Sequence, residues 1–250
     1  MSFQTAALLF VAAALGGAVN SVAGGGSFIA FPALLFAGVP PVAANATNTI
    51  ALWPGTVASA VAYRRELREA RRELVPLGIA GLVGGLAGSI LLLRTAERTF
   101  VLLIPWLMLF ATVLFSFGGA ITRRLTRGAR ASLGLAAVAQ LSISVYGGYF
   151  GGGMGIMTLA VLSLVGMTDI HRMNALKTVL ASLVNGVAAI AFVIAGAARW
   201  APGFVMMAGA LIGGYAGAAI ARRIDPKRVR RLVLVVAWGM TGYFFLRTYA

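Results

Sequence analysis

The chain of 250 residues contains no cysteine and a single histidine, His171. Disulfide frameworks, thiol chemistry and Cys-ligated metals are thereby excluded, as is a cluster of imidazole ligands. Acidic residues are nearly as scarce: Glu66, Glu69, Glu73, Glu97, Asp169 and Asp225 are the full set, and all fall between apolar segments. No paired carboxylates stand within a span for acid–base work, and none can serve a proton relay there. Charged residues make up 11% of the chain against 60% hydrophobic, and the mean hydropathy is +0.92. A soluble core of this length cannot hide so much apolar surface, so lipid must be the solvent for most of it. The net charge is +15, but apolar spans split the basic residues into separate loops. Charge divided in this way reads as membrane topology and contact with anionic lipids, not as a nucleic-acid surface. The first apolar run, Phe3 to Val22, lacks a basic n-region and is expected to stay in the mature protein.

What the chain has in their place is glycine, in two runs about 128 residues apart. Gly24, Gly25 and Gly26 precede Ser27-Phe28; Gly151, Gly152 and Gly153 precede Met154-Gly155. Each triplet follows a long apolar stretch and opens a short one, 27–38 or 154–166. Twelve or thirteen helical residues reach only about 18–20 Å, too little to cross a core about 30 Å thick. The other apolar runs are long enough to span: about 3–22, 45–63, 75–93 and 99–118, then 131–149, 173–197, 202–221 and 230–248. The expected fold is an all-α polytopic membrane protein of two repeats, 1–122 and 131–250, joined by a basic linker at 123–130. Each repeat opens with a broken, re-entrant-like hairpin and continues with three transmembrane helices. Ala80, Gly84 and Gly88 match Gly209, Gly213 and Gly217 at an offset of 129, small-residue stripes that let helices approach closely in lipid.

Loop charge predicts orientation. Arg64, Arg65, Arg68, Arg71 and Arg72 crowd one loop, while its equivalent near Arg199 carries one charge. The next pair reverses this, with Arg94 and Arg98 against Arg222, Arg223, Lys227, Arg228, Arg230 and Arg231. Equivalent loops then lie on opposite sides of the membrane, so the repeats are inverted, with both termini outside.

Glycine triplets allow positive φ and close backbone approach, and at membrane depth such backbone is tolerated only inside protein or beside a water-filled cavity. The competing reading is a tight helix crossing. Asn20 and Ser27 add polar groups beside the first triplet. The segments Asn45–Asn48 and Asn174–Lys177 are read as helix starts, whose free N–H groups favour anions. Thr47, Asn48 and Asn174 would add neutral polar groups and Lys177 a full positive charge. Two placements are open to Lys177: facing the cavity, or snorkelling to the headgroups. No carboxylate in a span can pair with it, so an anionic solute is its natural partner. Gln140 and Asn185 are expected to bond across helix contacts. No cofactor or metal is expected, and the partners are a small anionic solute and anionic lipids. Whether copies of the chain associate stays open.

The stretch Gly24-Gly25-Gly26-Ser27-Phe28, with Phe31-Pro32, Leu34-Leu35, Gly38, Pro40 and Ala46-Thr47-Asn48, resembles the first-half motif of the TauE/SafE sulfite exporter family. Gly147-Gly148, the second triplet with Met154-Gly155, Gly166 and Asn174-Ala175-Leu176-Lys177 resemble its second-half motif. The resemblance covers essentially the whole chain and implies a bacterial inner-membrane permease for sulfite, sulfoacetate, another organosulfonate or a related small sulfur-containing anion, usually in the direction of export. The second hairpin lacks the Phe-Pro of the first, so the halves are not expected to contribute equally. The alternatives are an intramembrane enzyme, against which stands the lack of a Ser/His pair, paired Asp or metal-ligand set, and a structural or assembly subunit whose gap is packed shut.

Overall fold

The computed structural model describes residues 1–22, 25–62, 70–125, 131–221 and 226–250. Gly24 and the basic stretches 63–69, 126–130 and 222–225 lie outside the described residues. The described residues form ten α-helices and no strand. The first five are α1 (Phe3–Val22), α2 (Ser27–Phe36), α3 (Pro41–Ala62), α4 (Arg71–Arg94) and α5 (Glu97–Leu125). The second five are α6 (Leu133–Tyr149), α7 (Met154–Leu164), α8 (Ile170–Ile194), α9 (Trp200–Ala221) and α10 (Pro226–Tyr249).

Among the described residues α1, α4, α5, α8 and α10 are long and apolar enough to cross a bilayer. Large apolar side chains such as Ile194, Tyr215, Val235 and Leu246 stand exposed on the outer faces, a surface that lipid covers without hydration cost. The chain is a multi-pass membrane protein. Helix α3 differs in character. Asn45, Thr47 and Asn48 are buried in it beside Ala44, Ala46, Ala51 and Leu52, so protein rather than lipid surrounds its polar turns.

Both short helices turn back. At the base of the second hairpin Ala131 N–H donates to the Leu164 carbonyl (2.8 Å), and at its tip Gly147 lies against Met154. In the first, Gly16 lies against Gly26 and Ala30. These are antiparallel pairs whose short arm returns toward the side where the long arm began. Both short helices end in the same cap: Gly38 at φ +78° with Val39 N–H bonded to the Leu34 carbonyl, and Gly166 at φ +86° with Met167 N–H bonded to the Leu162 carbonyl. This six-to-one bond needs a left-handed residue after the last turn, which glycine supplies at least cost.

The small-residue stripes do bring helices close, but between the two sets of five. On α4, Gly84 touches Leu141 and Ser144 of α6, and Gly88 touches Val145 and Tyr149. On α9, Gly209 touches Phe10 of α1 and Gly213 touches Ala14. In both pairs residue numbers rise together, so α4 runs parallel to α6 and α1 parallel to α9. Helices α5 and α10 run antiparallel: Trp106 Nε1 donates to Tyr249 Oη (3.0 Å), Thr112 and Thr241 share a hydroxyl bond (3.1 Å), and Trp238 Nε1 donates to Ser116 Oγ (3.2 Å). Thr112 and Thr241 are 129 residues apart, as are Trp53 and Ser182, where Trp53 Nε1 donates to the Ser182 carbonyl (3.0 Å) between α3 and α8. Two positions that match in the sequence thus meet each other in space.

Three expectations change. Helix α3 starts at Pro41 and α8 at Ile170, so Asn45–Asn48 and Asn174–Lys177 stand inside helices rather than at their starts. Proline is preorganised for the first helical position, and Asp169 caps α8 by accepting from His171 N–H (2.8 Å) and Arg172 N–H (3.4 Å). Glu97 of α5 accepts from Val42 N–H (3.2 Å) in the first turn of α3. Gln140, fully buried, donates to Ser144 Oγ (3.1 Å) on its own helix rather than across a contact. An acceptor four residues ahead lies on the same helix face.

With no native cysteine, single cysteines report sidedness directly. Ala131→Cys and Thr168→Cys should react with an impermeant maleimide from one side, and Ala96→Cys from the other. Labelling of Thr168→Cys from the Ala96 side would mean that α7 crosses.

Candidate functional site

The two glycine breaks are held open by particular bonds. In the first, Asn20 Oδ1 accepts from Gly26 N–H (2.8 Å), and Gly25 takes φ +92°. A Cβ at Gly25 would sit 3.2–3.3 Å from Phe28, Phe115 of α5 and Val233 of α10. In the second, Gly151 and Gly153 take φ +83° and +78°, and Gly153 is the left-handed residue that opens α7. Gly152 is buried and faces Ala111 of α5 and the Phe150 ring. L-residues pay about 1–2 kcal/mol to adopt this left-handed conformation, so glycine here shapes the break.

Helix α3 joins the two. Asn45 Nδ2 donates to the Tyr149 carbonyl (2.9 Å), the last of α6 before the second break. One turn on, Asn48 Nδ2 donates to Ser27 Oγ (3.1 Å), the first residue of α2 after the first break. Residues three apart share a helix face, with Cβ atoms about 5–6 Å apart, so both breaks come to one strip of α3. Between them the rings of Phe31 and Phe150 meet edge to face at 5.7 Å. Phe28 meets Phe115 in the same way at 6.0 Å.

The second break has its own counterpart of this contact. Lys177 lies 129 residues after Asn48, and Gly155 lies 128 after Ser27. The aliphatic stem of Lys177 runs over Gly155, whose Cβ would be 3.3 Å from Lys177 Cδ. A neutral amide therefore meets the first turn of α2, and a lysine meets the first turn of α7. Such a turn carries the positive end of the helix dipole, and its leading N–H groups are partly met by the breaks themselves, Phe28 and Ile29 N–H by the Gly25 and Gly26 carbonyls and Ile156 N–H by the Gly153 carbonyl. The lysine lies on the same turn.

Several of the residues singled out from the sequence come together here: Asn20, Gly25, Gly26, Ser27 and Asn48 around the first break, and Gly151, Gly152, Gly153 and Lys177 around the second. Gly24 lies outside the described residues. Thr47 is committed elsewhere, since it accepts from Arg199 N–H (2.9 Å) and pins the turn before α9. Asn174 is half-buried, its backbone carbonyl accepts from Thr178 Oγ1 (2.8 Å), and among the described residues no side-chain hydrogen bond ties it to either break. Sequence reasoning passed over Asn45, which is 1% exposed with an Oδ1 that has no partner. Its position three before Asn48 was the available signal. Asn48, 3% exposed, also has an unpartnered Oδ1, and the buried hydroxyl of Tyr146 has no partner either.

A cavity of about 280 Å³ lies at the far end of α2, lined among others by Leu35, Val39, Pro41, Ile104, Phe244 and Arg247. It stands at the mouth of the helix bundle rather than at the breaks.

Residues 9–244 match the family model described as Sulfite exporter TauE/SafE. The chain belongs to that family. A relative from Haemophilus influenzae, named "Probable membrane transporter protein", is 27% identical over 94% of this chain and 92% of its own length. "Probable membrane transporter protein YfcA" of Escherichia coli is 25% identical over 94% of this chain and 87% of its own. "Probable membrane transporter protein ORF9" of Sinorhizobium is 27% identical over 95% and 91%. No solved structure matches the chain.

Two glycine substitutions should act in opposite directions. Gly153→Ala forces a side chain onto a left-handed residue and should cost about 1–2 kcal/mol, seen as a lower thermal midpoint in detergent. Gly239→Ala, in open space within α10, should leave the midpoint unchanged or raise it, by up to about 1 kcal/mol of stability.

Proposed function

We propose that this protein is a secondary transporter of a small anion, sulfite or an organosulfonate, working by alternating access around the two glycine breaks. The observation that carries this reading is the convergence of both breaks on one face of α3, with Lys177 lying over the first turn of α7. Helix ends at membrane depth with their dipoles toward a common point are a recurring plan for solute sites in transporters. The described carboxylates stand at or near helix starts, Glu73 in the first turn of α4, Glu97 in that of α5 and Asp169 as the cap of α8. None of them neighbours Lys177 in the sequence of α8, and a negatively charged solute supplies the missing partner.

The antiparallel run of α5 against α10 supports inverted repeats, 1–122 and 131–250, with the mouth near Ala96 outside and the loop at 165–169 inside. In a bacterial inner membrane both termini then lie in the periplasm. Exchange of access follows if one hairpin and its neighbours rock against the other, with Phe31 and Phe150 as the rings that part. The names of the relatives support a transporter, and the family description supports sulfite and export.

Flux of labelled sulfite in proteoliposomes tests this. Lys177→Met should lower the initial rate at least about tenfold, equivalent to about 1.4 kcal/mol in the barrier, with folded yield retained. An unchanged rate would return Lys177 to a headgroup role. Wild-type protein that moves neither sulfite nor any small sulfonate would overturn the transporter reading.

A further inference from the structure

Asn45 is the most deeply buried polar side chain at the breaks, and its amide oxygen is unused. Its Nδ2 donates to the Tyr149 carbonyl, and a backbone carbonyl can only accept. The amide therefore cannot be turned round, and its Oδ1 is fixed as the free atom. That oxygen is buried without a partner, and leaving a buried acceptor unmet is costly. Asn48 is less informative on this point, because the Ser27 hydroxyl can donate or accept and its amide can therefore be assigned either way round.

The ammonium of Lys177 can only donate, and the partial positive charge at the starts of α2 and α7 favours an anion in the same way. An anion satisfies donors and leaves Asn45 Oδ1 unmet. We propose that Asn45 reads a hydrogen-bond donor on the transported solute. That solute is then a small sulfonate or carboxylate that also carries an O–H or N–H group about two carbons from its acid head. The spacing follows from α3, where Asn45 and Asn48 are three residues apart and their Cβ atoms about 5–6 Å. With the acid head held between Asn48 and Lys177, a two-carbon arm brings its terminal donor to Asn45. This inference rests on the anion-transport reading above and sharpens it, making Asn45 a specificity residue.

The test is equilibrium binding of two probes of equal heavy-atom count, 2-hydroxyethanesulfonate and propane-1-sulfonate, to the purified full-length chain in detergent. A site built to hydrogen-bond a hydroxyl rejects the analogue that lacks it. The hydroxyl compound should bind wild type at least about tenfold tighter, against the hydrophobic preference for the methyl group. In Asn45→Ala the ratio of the two affinities should fall toward one. If that variant does not fold, the wild-type ratio decides alone. Equal or reversed affinities in wild type would mean that water fills the acceptor, and would overturn this inference while leaving anion transport standing. An unchanged ratio in a folded Asn45→Ala would also overturn it. Binding of neither probe would also overturn this inference, and the sulfite flux above then decides anion transport by itself.

Discussion

A helix that stops inside a bilayer leaves N–H and C=O groups that hydrocarbon cannot satisfy, and much of this molecule is arranged around two breaks whose backbone groups are met from within. The first is braced by Asn20 on Gly26 N–H, and the second by Asn45 on the Tyr149 carbonyl. Phe150 and Gly151 N–H both turn back to the Tyr146 carbonyl, so the backbone of the second break is largely self-contained. Once these groups are met, the short arms of ten and eleven residues can end at depth. The rest of the bundle must then shield them from lipid. Polar α3 does this from within, and α5 and α10 close over the glycines from the side.

Equivalence between the two halves is close in backbone and deliberately broken in side chains. The glycine caps at Gly38 and Gly166 match, as do the approaches of α4 to α6 and of α9 to α1. Yet Asn48 answers to Lys177 and Ser27 to Gly155, so a neutral amide meets the start of one short helix and a cation the start of the other. The helix starts differ as well. Asp169 caps α8 from its own chain segment, whereas α3 begins with Pro41 and borrows Glu97 from α5.

The helices were largely legible from sequence because hydropathy runs and glycine punctuation are local signals. The expected short segments at 27–38 and 154–166 correspond to α2 and α7, and their return is explained by length. Asn45 and Asn174 stand four residues inside α3 and α8 rather than at their starts, because a polar residue in an apolar run is not by itself a helix boundary. Pro41 and Asp169 carried the true signals. Thr47 looked like a solute donor and instead holds Arg199 N–H, a contact 152 residues away that no local pattern announces. Asn45 was passed over since its value lies in the Tyr149 carbonyl, 104 residues on.

Composition alone determined that lipid is the solvent, that thiol chemistry is excluded and that two glycine-broken hairpins recur about 128 residues apart. These follow from what each residue prefers by itself. Only tertiary structure decided that each small-residue stripe packs on the other half, that α3 carries both breaks on one face, and that Lys177 lies over Gly155. Such pairings join residues far apart in the chain, and many exchanges of polar partners are nearly equal in local energy. Close approach of whole helices selects among them.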